Sequence, residues 1–386
     1  MDSNSKRSKS EGTKRGKNLA GTDSMRIMFT GGGTGGHIFP AIAVAERVRD
    51  MVPDCDILFL GTRDKIEGKV VPAAGFKFKS IWISGFARKS IKENLLFPVK
   101  LVVSIIQSIV IAMKFKPQAI VATGGYVSGP SVTGAHIMGA KVFLIEPNSY
   151  PGITTRFLEK KATEIHLMFK DAASFLRMKE RILVTGNPVR KSLTAVSREQ
   201  SRKKLGIGLD RKVLLVMGGS LGAKAINNTV AASLQKLKEA GIFLLWQTGA
   251  SSFEEYRKYE SEDVKVLSFI DDVNEVYAAA DLVTARAGAT TIAELIYLKK
   301  PAILVPFPYA AENHQYKNAR SMSDEGAAVL IEEKEISLRL ADEIVNLISA
   351  TGRLEEIKKN QERIGGIDAA KEIAGRVVNA CRSGII

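Results

Sequence analysis

Three glycine-rich stretches each follow an apolar run, and each offers bare backbone N–H groups to an anion. The first is Gly31-Gly32-Gly33-Thr34-Gly35-Gly36-His37. The second is Gly218-Gly219-Ser220-Leu221-Gly222-Ala223, and the third Thr123-Gly124-Gly125-Tyr126-Val127-Ser128-Gly129-Pro130. Where such a turn opens a helix, free amides and the helix dipole attract phosphate. Gly31, Gly33 and Gly36 formally spell G-x-G-x-x-G. A dinucleotide site also wants an acidic residue at the tip of the second strand, and here that tip is Gly61-Thr62, with Asp64 beyond it. No Gly-Lys-Ser/Thr follows the glycines, which excludes a P-loop. Any one of these turns reads equally well as a plain bend; three of them after strand-like runs argue for anion binding, with Ser220 adding a hydroxyl.

Several polar side chains are placed to complete such a site. Glu294, in Gly288-Ala289-Thr290-Thr291-Ile292-Ala293-Glu294, can accept from both hydroxyls of a ribose while the preceding amides face a phosphate. Arg190, after Gly186-Asn187-Pro188, can bring a cation to a leaving diphosphate. The run Glu312-Asn313-His314-Gln315-Tyr316-Lys317-Asn318 suits the reading of sugar hydroxyls. Taken singly, each also fits a solvated helix surface. Of the four histidines, His37, on a glycine turn, is a side chain able to titrate near neutrality and is placed like a general base or an oxyanion partner. His136 and His166 lie in apolar sequence and are expected to be structural. No metal-ligand spacing and no nucleophile–histidine–acid set is visible, so no metal is expected.

The elements that must position these residues follow from periodicity. Apolar runs at 26–30, 56–61, 119–122 and 141–145 alternate with helical patterns, one of them over Ala41–Asp50 with Pro40 in its first turn. The pattern restarts at Lys212–Met217, with further runs at 243–247, 264–267, 282–284 and 302–305. The reading is α/β: two doubly wound domains over 25–187 and 188–366, joined near Thr185–Ser192. A helical segment at 367–386 is free to pack back, in particular onto the first domain. Ligands of such sheets bind beyond the carboxyl ends of the strands, where all these motifs fall.

Composition sets the limits. The 386 residues are 45% hydrophobic and 25% charged, as in a globular protein of two domains. The formal charge is +15; residues 1–24 hold six Lys/Arg against three Asp/Glu, or +3, leaving +12 for the rest. That leader is Ser/Lys/Gly-rich and is read as a tail, with Met25 a possible natural start. A basic body suits nucleotide phosphates or an anionic membrane. Nucleic acid is not expected, because no aromatic-interleaved basic stripe is present. Cys55 and Cys381 make no disulfide framework, which points to a reducing compartment. Leu101–Met113 falls short of the roughly 20 residues of a span. The preceding Phe86, Arg88, Lys89, Lys92, Leu95, Leu96 and Phe97 mix apolar and basic side chains in a way that suits docking on anionic lipid.

Read in order, GGGTGGHIFPAIAVA, GGYVSGP, EPNSYPG, TGNPVR, GGSLGA, FIDDV, RAGATTIAE and HQYKNA strongly resemble the lipid-I N-acetylglucosaminyltransferases of peptidoglycan synthesis, from Met25 to the C-terminus. The resemblance implies a GT-B fold, two Rossmann-like domains about a cleft. It implies inverting transfer of N-acetylglucosamine from UDP-N-acetylglucosamine to the 4-hydroxyl of undecaprenyl-diphospho-N-acetylmuramoyl-pentapeptide, giving lipid II at the cytoplasmic face of the inner membrane, with no bound cofactor. It further implies donor contacts from Asn148, Arg190, Ser220, Ile270, Ala289, Thr290, Glu294, His314 and Gln315. Thr34, Gly35 and Gly36 join them from a turn that also faces the acceptor. Acceptor contacts fall to Gly33, His37, Gly125 and Tyr126. His37 and then Glu146 are the candidates for the base. The family's usual Glu-Gln-Asn is here Glu146-Pro147-Asn148, which removes one N–H before Asn148. Alternatives are another GT-B enzyme (a lipid galactosyltransferase or a UDP-N-acetylglucosamine 2-epimerase) or a non-catalytic nucleotide-sugar-binding protein.

Overall fold

The computed structural model describes residues 24–85, 95–194, 196–219, 222–365 and 368–383. Runs such as Ile27-Met28-Phe29 are buried on both faces, as strands of a parallel sheet covered on two sides must be. The first sheet comprises β1 (Arg26–Thr30), β2 (Asp56–Gly61), β3 (Lys77–Ser80), β4 (Ala119–Ala122), β5 (Lys141–Glu146), β6 (Glu164–Leu167) and β7 (Ile182–Val184). All are parallel, in the order β3-β2-β1-β4-β5-β6-β7. The second comprises β8 (Lys212–Met217), β9 (Ile242–Gln247), β10 (Val264–Leu267), β11 (Leu282–Ala285), β12 (Ala302–Leu304) and β13 (Val329–Leu330), in the order β10-β9-β8-β11-β12-β13.

Strand order reverses between β1 and β4 in one sheet and between β8 and β11 in the other. Those switch points are where doubly wound sheets open a crevice. The glycine turns after β1, β4 and β8, and the Gly288 segment after β11, therefore border the two crevices.

The helices of the first domain are α1 (Gly35–Met51), α2 (Glu67–Ala73), α3 (Phe97–Phe115), α4 (Ser128–Ile137) and α5 (Ile153–Leu158). Those of the second are α6 (Arg198–Leu205), α7 (Lys224–Glu239), α8 (Phe253–Tyr256), α9 (Val273–Ala279), α10 (Ala289–Tyr297), α11 (His314–Asp324), α12 (Ile336–Ser349) and α13 (Thr351–Gly365), with α14 (Ala369–Arg382) last. In α14, Ile373, Ala374, Val377 and Val378 join the core of β1 and α1. Its Arg376 grips Glu164 of β6 through two bonds of 2.7 and 3.0 Å. The His166 ring and that guanidinium hold the Glu164 carboxyl down at about 2. The chain's end thus closes the first domain after tracing the second.

Two expectations need correction. Helix α1 starts at Gly35, so Gly35, Gly36 and His37 form its first turn and Pro40 lies inside the helix. Proline there removes the amide that would bond the Gly36 carbonyl. His136 is exposed at the end of α4 rather than lying in apolar surroundings, whereas His166 is fully buried.

Candidate active site

The first glycine turn is shaped by two close approaches and one left-handed residue. A Cβ on Gly31 would meet Thr123 Oγ1 at 2.0 Å, one on Gly32 would meet Glu67 Oε1 at 2.5 Å, and Gly33 sits at φ +86°. The Glu67 carboxylate, buried at the start of α2, takes up the donors this loop leaves open. Its Oε2 accepts from Gly33 N at 3.1 Å, and its Oε1 accepts from Thr62 N and Thr62 Oγ1 at 3.1 and 2.5 Å. The Tyr126 hydroxyl lies 3.2 Å from Thr62 Oγ1. Gly125, at φ +82°, would carry its Cβ into the Gly32 carbonyl at 2.3 Å, so the β1 and β4 turns lock together only as glycines.

His37 sits over this junction. Its Nδ1 is 2.8 Å from the Thr123 carbonyl, which can only accept, so Nδ1 carries the hydrogen and Nε2 keeps a lone pair. Burial lowers its pKa below 6.5 against the opposing effect of the Thr123 bond, and His314 across the cleft lowers it further. A half-buried, neutral imidazole with a fixed tautomer is what a general base requires.

In the second domain, α10 begins at Ala289 with no side-chain cap, so the first-turn amides of Ala289 and Thr290 project from its N-terminus. Gly219 and Gly222 are at φ +83° and +75° in the β8 turn, and Gln247 donates to the Gly219 carbonyl at 3.2 Å. Ser220 lies outside the described residues. Glu294, one turn along α10, is buried. Its Oε1 is 2.5 Å from Arg190 Nη2, and its Oε2 accepts from the Tyr277 hydroxyl at 3.2 Å. Burial and the neighbouring carboxylate push the Tyr277 hydroxyl well above 10, so it remains a donor. Arg190 also stands 5.8 Å from the Phe39 ring of the first domain. Ile270, in the loop after β10, makes no backbone hydrogen bond to the described residues.

The two halves meet. An added Cβ on Gly36 would lie 3.9 Å from Thr290 Oγ1, which places the β1 turn against the start of α10. Asn318, fully buried in α11, donates to Asn148 Oδ1 at 3.2 Å and accepts from Ser149 N at 2.9 Å. His314 Nδ1 is held by the Ala311 carbonyl at 2.7 Å, and Gln315 Oε1 accepts from Phe307 N at 2.9 Å.

Glu146 is engaged elsewhere. Its carboxylate accepts from Asn148 N, Asn148 Nδ2, Gly152 N and Thr155 Oγ1 at 2.6 to 3.2 Å. Burial pushes its pKa up while these bonds pull it down. With four donors on two oxygens it braces the 146–155 loop and has no free lone pair directed at a substrate; the structure does not bring it forward as a base.

Asn318 falls in the polar run 312–318 marked in the sequence, and the structure gives it Asn148 as a partner. Glu67, Thr62 and Tyr277 carry no such signal in the sequence and reveal themselves only when β2, α2 and α9 are folded against the turns. Among the described residues no group of three His, Cys, Asp or Glu can hold a metal ion.

Paired doubly wound domains, two crevices facing one cleft and a neutral histidine opposite a helix N-terminus define a GT-B glycosyltransferase. The profile described as the glycosyltransferase family 28 N-terminal domain matches residues 27–167, and that of the family's C-terminal domain matches 213–375. The chain belongs to glycosyltransferase family 28. A Flavobacterium psychrophilum protein named UDP-N-acetylglucosamine--N-acetylmuramyl-(pentapeptide) pyrophosphoryl-undecaprenol N-acetylglucosamine transferase is 37% identical over 94% of this chain and 99% of its own length. One of the same name from Christiangramia forsetii is 39% identical over 92% and 97%. The crystal structure of Acinetobacter baumannii MurG superposes with a TM-score of 0.75 at 25% identity, over 92% of this chain and 99% of the other.

Proposed function

We propose that this chain transfers N-acetylglucosamine from UDP-N-acetylglucosamine to the 4-hydroxyl of undecaprenyl-diphospho-muramoyl-pentapeptide, producing lipid II by inversion. The observation that carries the reading is the apposition of Gly36 and His37 to the N-terminus of α10. An acceptor hydroxyl seated by His37 Nε2 stands in line with a sugar whose diphosphate rests on Ala289 and Thr290.

In a single in-line displacement the acceptor oxygen bonds to the anomeric carbon as the bond to the UDP oxygen breaks. His37 Nε2 takes the hydroxyl proton, and the bond electrons leave with the diphosphate. Charge therefore grows on the leaving group, and preformed donors that meet it there stabilise the transition state more than the ground state. Those donors are the α10 amides, Arg190 and, in the β8 turn, Ser220. Arg190 reaches the diphosphate by giving up Glu294, whose freed oxygen accepts from the ribose. Ile270 reads uracil through its backbone. Asn148, His314 and Gln315 read the sugar, with Asn318 fixing Asn148. Gly33, Gly125 and Tyr126 line the acceptor side, and Thr34, Gly35 and Gly36 serve both substrates.

The enzyme docks on the anionic cytoplasmic face of the membrane through α3. Phe86, Arg88, Lys89 and Lys92, part of the same expected surface, lie outside the described residues.

Incubation with labelled UDP-N-acetylglucosamine and a lipid-I analogue should give the disaccharide product. Donor binding without transfer would sink the reading. Glu294→Ala should weaken UDP binding by roughly 10- to 100-fold, the loss of a charged hydrogen-bond acceptor worth about 1.5–3 kcal/mol; calorimetry showing unchanged affinity would remove Glu294 from the site.

A further inference from the structure

A cavity between the domains lies away from the transfer cleft. It has a volume of about 480 Å³ and is walled by both domains at the hinge, with Val184 and Gly186 on one side and Ile296, Met322 and Ile364 on the other. A recess of about 30 Å³ shares Met168, Gly186 and Ile296 with it and reaches Asn187. The Asn187 side chain is 6% exposed, and neither its Nδ2 nor its Oδ1 has a hydrogen-bond partner among the described residues. A buried amide left bare on both atoms costs free energy until something fills it.

The charges around the rim are already matched. Lys170 and Arg363 both pair with Glu325, the latter at 2.9 Å, and Asp171 accepts from Ser321 Oγ at 2.5 Å. Two cations face two carboxylates, so the cavity has no call for an ion. Its floor is apolar, and the unmet demand beside it is the donor–acceptor pair of Asn187 in the adjoining recess.

We propose that this hinge cavity is a binding site for a small neutral molecule with an apolar body and an amide-like edge that pairs with Asn187, and that its occupancy is coupled to the donor site. The coupling has a physical route. Helix α10 carries Ala289 and Thr290 at one end, Glu294 between, and Ala293, Ile296 and Tyr297 against the hinge cavity and recess. Helix α11 carries His314 and Gln315 at its start and Ser321 and Met322 at the cavity. A molecule touching Val184 and Met322 together also holds the two domains in the relative position that sets Gly36 against Thr290. It therefore favours the arrangement in which both walls of the donor site are assembled, and linkage makes the effect reciprocal. This coupling rests on the donor assignment above; the cavity itself does not.

N-benzylacetamide is a suitable probe, with a ring for the floor and an N–H and C=O for Asn187. Titrated into the full-length protein and followed by protein NMR, it should show saturable millimolar binding. Val184→Trp, at a position 52% exposed on the edge strand β7, fills the cavity mouth without disturbing the core and should abolish that binding. A crystal soaked with the probe should place its amide on Asn187. With the probe saturating, UDP affinity should rise about fivefold or more, and UDP should tighten the probe by the same factor. Absence of saturable binding, binding that survives Val184→Trp, or a soaked crystal with water alone beside Asn187 would each overturn the site. Probe binding with no change in UDP affinity would overturn the coupling. Should Glu294→Ala leave UDP affinity intact while the probe still binds, the donor assignment fails and the cavity stands.

Discussion

As the proposed base, His37 has its state settled before substrate arrives by two neighbours and by burial. Thr123 fixes the tautomer, Gly124 leaves room for the ring with an added Cβ only 3.0 Å from Nδ1, and burial keeps the imidazole neutral. The sign of the pH effect follows. A base must be unprotonated, and a pKa lowered from 6.5 means that protonation, and with it loss of activity, sets in only as the pH falls below the ordinary histidine value. The acid limb of kcat/KM should therefore lie below 6.5. His37→Ala should flatten that limb and reduce turnover by about 10² to 10⁴, the usual worth of a positioned base, while UDP affinity is unchanged. An acid limb that persists in the variant would assign it to another group.

At the scale of elements, the β1 turn is held by a helix that no motif connects with it. Glu67 lies 34 residues beyond Gly33 along the chain, past α1 and β2. Its role appears when β2 pairs with β1, Leu60 opposite Thr30, so that Thr62 and Gly33 open toward one carboxylate. The glycine spacing, the restart of the βα pattern at Lys212 and the strand-end positions were all legible, because they are properties of single segments. The start of α1 at Gly35 was not, since glycine propensity argues against a helix there and the docking of its first turn against the 123–126 loop overrides it. Glu67→Gln tests the brace. An amide NH₂ must then face either the Gly33 or the Thr62 donors, leaving at least one buried donor unmet at a cost of about 1–3 kcal/mol. Denaturant midpoints should fall accordingly, and kcat/KM for the acceptor should drop more than UDP affinity, which depends on the other domain. Equal losses in both would mean that the carboxylate supports the fold without shaping the acceptor side.

At the scale of the whole molecule, the proposed docking on lipid rests on α3, whose two faces differ in kind. Its inward face is small and polar: Ser104, Ser108 and Ala112 are fully buried, and Gly134 of α4 comes so close that an added Cβ would sit 2.6 Å from Ser108 Cβ. Its outward face is Val99, Val102, Ile106, Val110 and Met113, a stripe at helical spacing that is half exposed along its length. By length and hydropathy α3 is able to cross a bilayer, yet its small-residue face is packed on α4, which leaves the apolar stripe facing outward, as the proposed docking requires. Trp82, half exposed with the Lys100 ammonium 5.8 Å from its ring, sits where an interfacial aromatic belongs. Replacing Val102 and Ile106 by aspartate should leave the fold intact, since both side chains already stand in water. It should cut binding to anionic vesicles by about 100-fold or more, taking about 1.5 kcal/mol for each apolar side chain withdrawn from lipid. Transfer to a water-soluble acceptor analogue should proceed at the parent rate. If the double variant floats with vesicles as the parent does, α3 is not the docking face, and the stripe must be covered by something other than lipid.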